Sequence, residues 1–85
     1  MSPTVIPIQG VFDAPAATEL LRAIRAAARR PEAVVLDFSR ARDVYDFAVA
    51  VIAHGLASEG IGAQYRGLMR HQERMLQYLG LVAGA

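Results

Sequence analysis

Four residue types are missing from this 85-residue sequence: asparagine, cysteine, lysine and tryptophan. Without cysteine the chain can form no disulfide, no thiolate nucleophile and no cysteine-based zinc site. Without lysine it can form no Schiff base through a side-chain amine. The longest apolar run covers residues 47–53, far below the roughly 20 residues that a membrane-spanning helix needs. We therefore expect no direct membrane insertion and, because the first residues lack the basic stretch of a signal peptide, a cytoplasmic protein.

Strong charge of either sign is also lacking, and with it the usual features of a nucleic-acid-binding protein. Nine arginines against eight acidic residues give a formal net charge of +1, so no strong field attracts nucleic acid. The two histidines, His54 and His71, have no acidic residue or second histidine at helical spacing, which argues against a metal site. The glycines at 60 and 62 follow a predicted helix, the reverse of the order in a phosphate-binding loop. The sequence therefore predicts no cofactor, no metal and no catalytic activity.

Hydrophobic periodicity predicts a single small α/β domain over residues 1–85. The hydrophobic fraction of 54% exceeds the usual ~45–50% and is typical of a globular chain. Apolar runs of strand length alternate with stretches of helical spacing, an order that gives a parallel sheet with right-handed crossovers. Pro7 places the first strand at an edge, whereas the run from Ala33 to Phe38 predicts a central strand covered on both faces and followed by a polar turn at 39–43. The predicted strands are 5–8, 33–38 and 63–66, and the predicted helices are 13–31, 47–58 and 68–79.

The second predicted helix is apolar nearly all round, which is unusual for a helix at a protein surface. In a domain this small only one side of a helix can pack on the sheet, so the opposite side faces water or another protein. We predict that Phe47 and Val51 lie on that exposed side; the alternative is that a neighbouring loop or helix covers them. At about 100° per residue, one face carries Val49, Ile52, Ala53 and Leu56, and the other carries Phe47, Val51, His54 and Ser58.

Five segments along the chain form a recognisable set: Gly10 to Leu20, Val-Val-Leu-Asp-Phe-Ser at 34–39, the apolar second helix, Gly60, and Leu-Gly-Leu at 79–81. Taken together they resemble a STAS domain, the anti-sigma-factor-antagonist family, over about residues 8–81. The resemblance implies an α/β fold with a sheet of about four strands and three to four helices packed on it. It also implies docking on a protein partner instead of catalysis, the usual partner being an anti-sigma factor that is also a serine kinase.

The start of the second helix differs from the family pattern. Family members open this helix with a turn similar to Asp-Ser-Ser-Gly, and phosphorylation of the second serine breaks the partner contact. Here the turn reads Tyr45-Asp46-Phe47-Ala48-Val49, and the two possible alignments put Phe47 or Ala48 at the phosphorylated position. Neither side chain has a hydroxyl group. We therefore expect no serine-phosphorylation switch at this site, while the docking role is unaffected.

The resemblance and the helix pattern predict a bacterial protein-interaction and regulatory module. Its predicted partner is an anti-sigma factor or kinase. An alternative is a STAS subunit of a phospholipid-transport ABC system, which would dock on the ATPase subunit through the same helix without phosphorylation. A second alternative is a STAS domain that binds a nucleotide or senses a small molecule. The residues predicted to bind the partner are Tyr45, Asp46, Phe47, Ala48, Val51 and His54.

The strand from Val5 to Ile8 predicts a further contact. In a typical family member a preceding hairpin strand covers this strand, and we do not expect that hairpin here. Pro7 protects one position from pairing with another strand, but no charged residue lies within 4–9 to protect the rest of the edge. We therefore predict that the edge pairs with a second copy of the chain, as a homodimer, or with a strand supplied by the partner.

Overall fold

The computed structural model describes residues 3–82, and its elements are β1 (Thr4–Phe12), α1 (Ala14–Ala26), β2 (Ala33–Val44), α2 (Asp46–Ser58), β3 (Gly62–Arg66) and α3 (Arg70–Tyr78). The strands form one parallel sheet in the order β1-β2-β3, so that β2 is central. Helices α1 and α2 contact each other, as expected when successive right-handed crossovers proceed in one direction. This alternation confirms the predicted α/β class. Within the described residues the sheet has three strands instead of about four, and three helices pack on it.

The main hydrophobic core lies between the sheet and helices α1 and α2. Leu36 in β2 is fully buried, and the rings of Phe12 and Phe38 meet edge to face with their centres 5.1 Å apart. Val35 points to the opposite face of the sheet and is also buried, with 1% of its surface exposed, although it belongs to neither cluster of packed side chains. The first half of β2 is therefore buried on both faces, as predicted. A smaller cluster of Val49, Ala53 and Leu76 joins α2 to α3.

The first helix begins where the sequence predicts and ends earlier. Asp13 accepts a hydrogen bond from the N–H of Ala16 at 3.0 Å, which makes it the N-cap of α1. The predicted end at Pro31 is wrong. Helix α1 ends at Ala26, before that proline is reached. Proline disfavours helical backbone in the residue before it, and Arg30 instead reaches Glu59 after α2, with a nitrogen–oxygen distance of 2.8 Å.

The central strand runs further than its sequence suggests. The polar segment 39–43, predicted as a turn, is part of β2, because it pairs with the second half of β1 through Gln9 with Arg40 and Phe12 with Val44. Two register shifts in this ladder, one of them at Gly10 with a φ of +71°, accommodate extra residues in β2. The extended strand brings Val44 to the carboxyl edge of the sheet, where α2 starts.

A close backbone contact fixes the path from β3 into α3. Gly67 has a φ of +79°, and a Cβ atom at this position would lie 2.5 Å from the backbone nitrogen of Ser39. Only glycine satisfies both the conformation and the contact. The turn before α3 therefore lies against β2, at the same edge of the sheet as the start of α2. Gly60, with a φ of +73°, ends α2 as predicted.

Candidate docking surface

The turn between β2 and α2 exposes two aromatic side chains. Phe47 is 70% exposed and Tyr45 is 57% exposed. Ala48 and Val49, which follow them in the first turn of α2, are fully buried, so the buried side of the helix points away from Phe47. Large apolar side chains that are exposed together are typical of a binding surface.

Asp46, between these two aromatic residues, contacts two side chains of α3. The Nε2 atom of His71 lies 2.8 Å from Asp46 Oδ1, and Gln72 donates a hydrogen bond from Nε2 to the same oxygen at 2.9 Å. Asp46 is also the first residue of α2, where a negative charge interacts favourably with the helix dipole. The hydrogen bonds from Gln72 and His71 hold the pKa of Asp46 below its usual value. The carboxylate is therefore ionised at neutral pH.

Gln72 links the two turns that meet at this edge of the sheet. Its side chain is 1% exposed; Nε2 also donates to the backbone C=O of Val44 at 3.0 Å, and Oε1 accepts the N–H of Met69 at 3.0 Å. A buried polar side chain is tolerated here because both its donor and its acceptor atoms have partners. One amide thus connects the end of β2, the start of α2 and the start of α3.

Met69 adds a third exposed apolar side chain, from the α3 side. It is 66% exposed, and its backbone N–H is held by the same glutamine that holds Asp46. Tyr45, Phe47 and Met69 therefore lie next to the Asp46–His71 pair, and we call these five residues the turn surface. Met69, His71 and the buried glutamine were not among the predicted site residues. A signal for the glutamine exists in the sequence, because it occupies a position in the apolar stripe of α3, where an amide needs partners.

The structure places the remaining predicted residues apart from the turn surface. Ala48 is fully buried, so its side chain does not reach the protein surface, and of the two positions aligned with the family serine only Phe47 is exposed. Val51 is half-buried and packs against the main core cluster, so the prediction that it is exposed like Phe47 is wrong. His54 is exposed and lies seven residues beyond Phe47, about 10 Å along the helix.

Among residues 3–82 no group of three or more His, Cys, Asp or Glu side chains is arranged to hold a metal ion. None of the helices in the described part of the chain combines the length and hydropathy needed to cross a membrane. A cleft of about 420 Å³ lies between β3 and α3, with Tyr65, Leu68 and Leu76 among the residues that line it.

Two solved structures show a similar fold. The STAS domain of a SulP transporter from Vibrio cholerae is 17% identical, with a TM-score of 0.65 over 93% of this chain and 64% of that one. A sulfate transporter family protein from Wolinella succinogenes is 15% identical, with a TM-score of 0.63 over 92% of this chain and 66% of that one. The chain thus spans slightly less than two thirds of the length of either structure.

Sequence comparison identifies the family. No curated protein matches the chain significantly. The family model described as "Mlab, STAS domain" matches residues 1–83, which is nearly the whole sequence. The fold comparison agrees with this match, since the two structures above include a transporter STAS domain. The chain therefore belongs to the STAS domain family.

Proposed function

We propose that this protein is an interaction module that binds a partner protein through the turn surface. STAS domains are protein-interaction and regulatory modules. The observation that supports this site is Phe47, whose ring is 70% exposed at the start of a helix whose opposite side is fully buried. Burial of the exposed part of such a ring contributes about 2 kcal/mol to binding, which makes Phe47 the candidate anchor. Tyr45 and Met69 extend the apolar contact around it.

In this proposal the partner contact is not controlled by phosphorylation at the start of α2. Neither Phe47 nor Ala48 has a hydroxyl group, and Ala48 is buried as well. This favours a partner that docks permanently, such as the ATPase subunit of a phospholipid-transport ABC system, over a kinase that releases its antagonist by phosphorylating it. The similar solved structures are also transporter proteins by name. An anti-sigma factor is the second candidate partner.

Capture experiments with purified candidate partners test the proposal. Wild-type protein, Phe47→Asp and Tyr78→Asp are immobilised and exposed separately to an ABC ATPase subunit and to an anti-sigma factor from the same organism. We expect Phe47→Asp to lose capture and to keep its circular dichroism spectrum and unfolding midpoint, because an exposed ring contributes little to stability. Tyr78, which is 92% exposed at the far end of α3, is the matched control. Equal capture by wild type and Phe47→Asp, or unfolding of Phe47→Asp, would contradict the proposal.

The open edge of β1 supports a second contact, in which two copies of the chain pair. Within the described residues β1 pairs with β2 alone, and its nine residues include no charged side chain. Val5 is 51% exposed, whereas Ile6 packs against the core, so Val5→Lys disturbs the edge without disturbing the core. Light scattering is expected to give a mass near twice 9.2 kDa for the wild type and a lower mass for Val5→Lys. A monomeric wild type at high concentration would contradict this pairing and leave a partner strand as the alternative.

A further inference from the structure

The outer side of α3 carries two arginines without a carboxylate partner. Arg70 and Arg74 are both exposed and lie one helical turn apart. Elsewhere in the described residues, Arg22, Arg25 and Arg30 each pair with a glutamate. The arginines at 29, 40 and 66 also have no carboxylate within 4.0 Å, but they do not lie on α3. In the described part of the chain no carboxylate oxygen lies within 4.0 Å of Arg70 or Arg74.

This arrangement of charge weakens the helix in which it occurs. Like charges four residues apart on a helix repel each other, and Arg70, the first residue of α3, opposes the helix dipole. Helix α1 has the favourable arrangement, with Arg25 in its last turn. Glu73 lies in the first turn of α3 but pairs with neither arginine and lines the cleft toward β3. Charges that reduce stability in the free protein are expected where they serve binding.

Both arginines border the turn surface. Arg70 lies between Met69, which is 66% exposed, and His71, whose Nε2 atom is 2.8 Å from Asp46. Arg74 follows one turn further along the same side of the helix. The carboxylate of Asp46 is engaged by its own hydrogen bonds to α3. The two guanidinium groups are therefore available to charges that come from outside the described protein.

We propose that Arg70 and Arg74 bind acidic side chains of the partner protein, next to the apolar residue that the partner places against Phe47 and Met69. This inference rests on the proposed function and defines the chemistry of the partner segment: an apolar anchor with Asp or Glu beside it. A protein segment fits better than nucleic acid or an anionic membrane. Those ligands attract broadly basic proteins, whereas this chain has a net charge of +1, and the carboxylate of Asp46 contacts His71, the residue next to Arg70.

Charge reversal at the two arginines, compared with reversal elsewhere, tests the inference. The double variant is Arg70→Glu/Arg74→Glu and the control is Arg29→Glu, because Arg29 is exposed after α1 and also lacks a carboxylate within 4.0 Å in the described residues. The Kd for the captured partner is measured between about 50 and 500 mM salt. We expect the double reversal to weaken binding about tenfold at low salt and to flatten the salt dependence, and the control to change Kd less than about twofold.

The outcomes separate this inference from the proposed function. Urea unfolding of the same samples is expected to show that the double variant is as stable as the wild type, since the reversal places negative charge where the helix dipole favours it. Unchanged affinity and salt dependence in the double variant would overturn the inference, while loss of capture by Phe47→Asp would leave the proposed function intact. Arginine-dependent binding to DNA or to vesicles containing anionic lipid, without protein capture, would overturn the assignment to an acidic protein segment. A wild-type chain that captures neither candidate partner would overturn both proposals.

Discussion

Replacement of Gln72 tests whether one buried amide holds the turn surface together. Gln72→Leu keeps most of the side-chain volume and removes the atoms that bond to Met69, Val44 and Asp46. Because Gln72 is 1% exposed, water does not replace its bonds to the backbone of Met69 and Val44, whereas Asp46 is half exposed and keeps its contact with His71. Each bond contributes about 1 kcal/mol net, and backbone groups left buried without partners increase the cost. We expect Gln72→Leu to lower the free energy of unfolding by about 3 kcal/mol.

Such a loss is large for a domain of this size. At roughly 0.05–0.15 kcal/mol per residue, 85 residues correspond to about 4–13 kcal/mol in total. Gln77→Leu is the matched control, because Gln77 is exposed on the same helix and its replacement is expected to change stability by less than about 0.5 kcal/mol. Urea unfolding followed by circular dichroism measures both differences. Equal stability of wild type and Gln72→Leu would refute the role assigned to this amide.

The isosteric change Gln72→Glu tests the same position through the pH dependence of the variant's stability. A carboxyl at this buried position, next to the Asp46 carboxylate, has its pKa raised by desolvation and by the like charge. Between the unfolded-state pKa near ~4.3 and the raised folded-state pKa, the native state holds more protons than the unfolded state. The stability of this variant therefore falls as pH rises through that window, by up to about 1.4 kcal/mol per pH unit. A stability profile parallel to that of the wild type above pH ~4 would contradict this reasoning.

Four further substitutions test the fold around the site. Gly67→Ala is expected to lower the free energy of unfolding by at least about 2 kcal/mol, because it combines a positive φ with a clash against Ser39. Gly60→Ala should lower it by only about 1 kcal/mol, because a Cβ at this position meets nothing within 4 Å. Tyr65→Phe should preserve or raise stability, because the buried hydroxyl has no hydrogen-bond partner in the described residues. Burial also raises the pKa of Tyr65 to about 12. A loss of more than about 1 kcal/mol in the free energy of unfolding would show that the hydroxyl is bonded. Asp46→Asn should reduce the loss of stability on acidification. The depressed pKa of Asp46 stabilises the folded protein above the unfolded-state pKa near ~3.9. This contribution disappears as pH falls through the folded-state pKa. Urea titrations from pH ~2 to 7 would contradict this if wild type and Asp46→Asn lost stability in parallel.

Features that depend on local sequence were predictable. The N-cap at Asp13, the end of α2 at Gly60 and the exposure of Phe47 all follow from residues within a few positions, and the structure confirms them. The extension of β2 was not predictable in the same way. Residues 39–43 are mostly exposed and polar, and they form a strand because the distant β1 pairs with them.

The composition of the turn surface depends on contacts between distant residues. Asp46 and His71 are 25 residues apart, and no sequence pattern gives the register of α3 against the start of α2. The same limit explains Val51. A helix packed on the sheet alone would expose half of its circumference, but α2 also packs against α1, and Val51 contacts the main core cluster to which Leu21 and Ile24 of α1 belong. The exposed arc is therefore narrower than the helical pattern predicts, and Phe47 stays on it while Val51 does not.

The chemistry at the start of α2 decides which kind of regulation is physically available there. A phosphoryl group adds about 1.5 to 2 negative charges, and that addition can switch a contact only if an accessible hydroxyl accepts it. At this helix start the exposed position carries the Phe47 ring, and the negative charge is the permanent carboxylate of Asp46. The free energy of an apolar contact depends on the surface area that the contact buries. A contact made by the Phe47 ring is therefore not under the control of a kinase. A surface of this kind suits a partner that stays bound. In the proposal above, Arg70 and Arg74 make the affinity for that partner sensitive to salt. For this reason a transporter subunit is placed ahead of a kinase as the proposed partner.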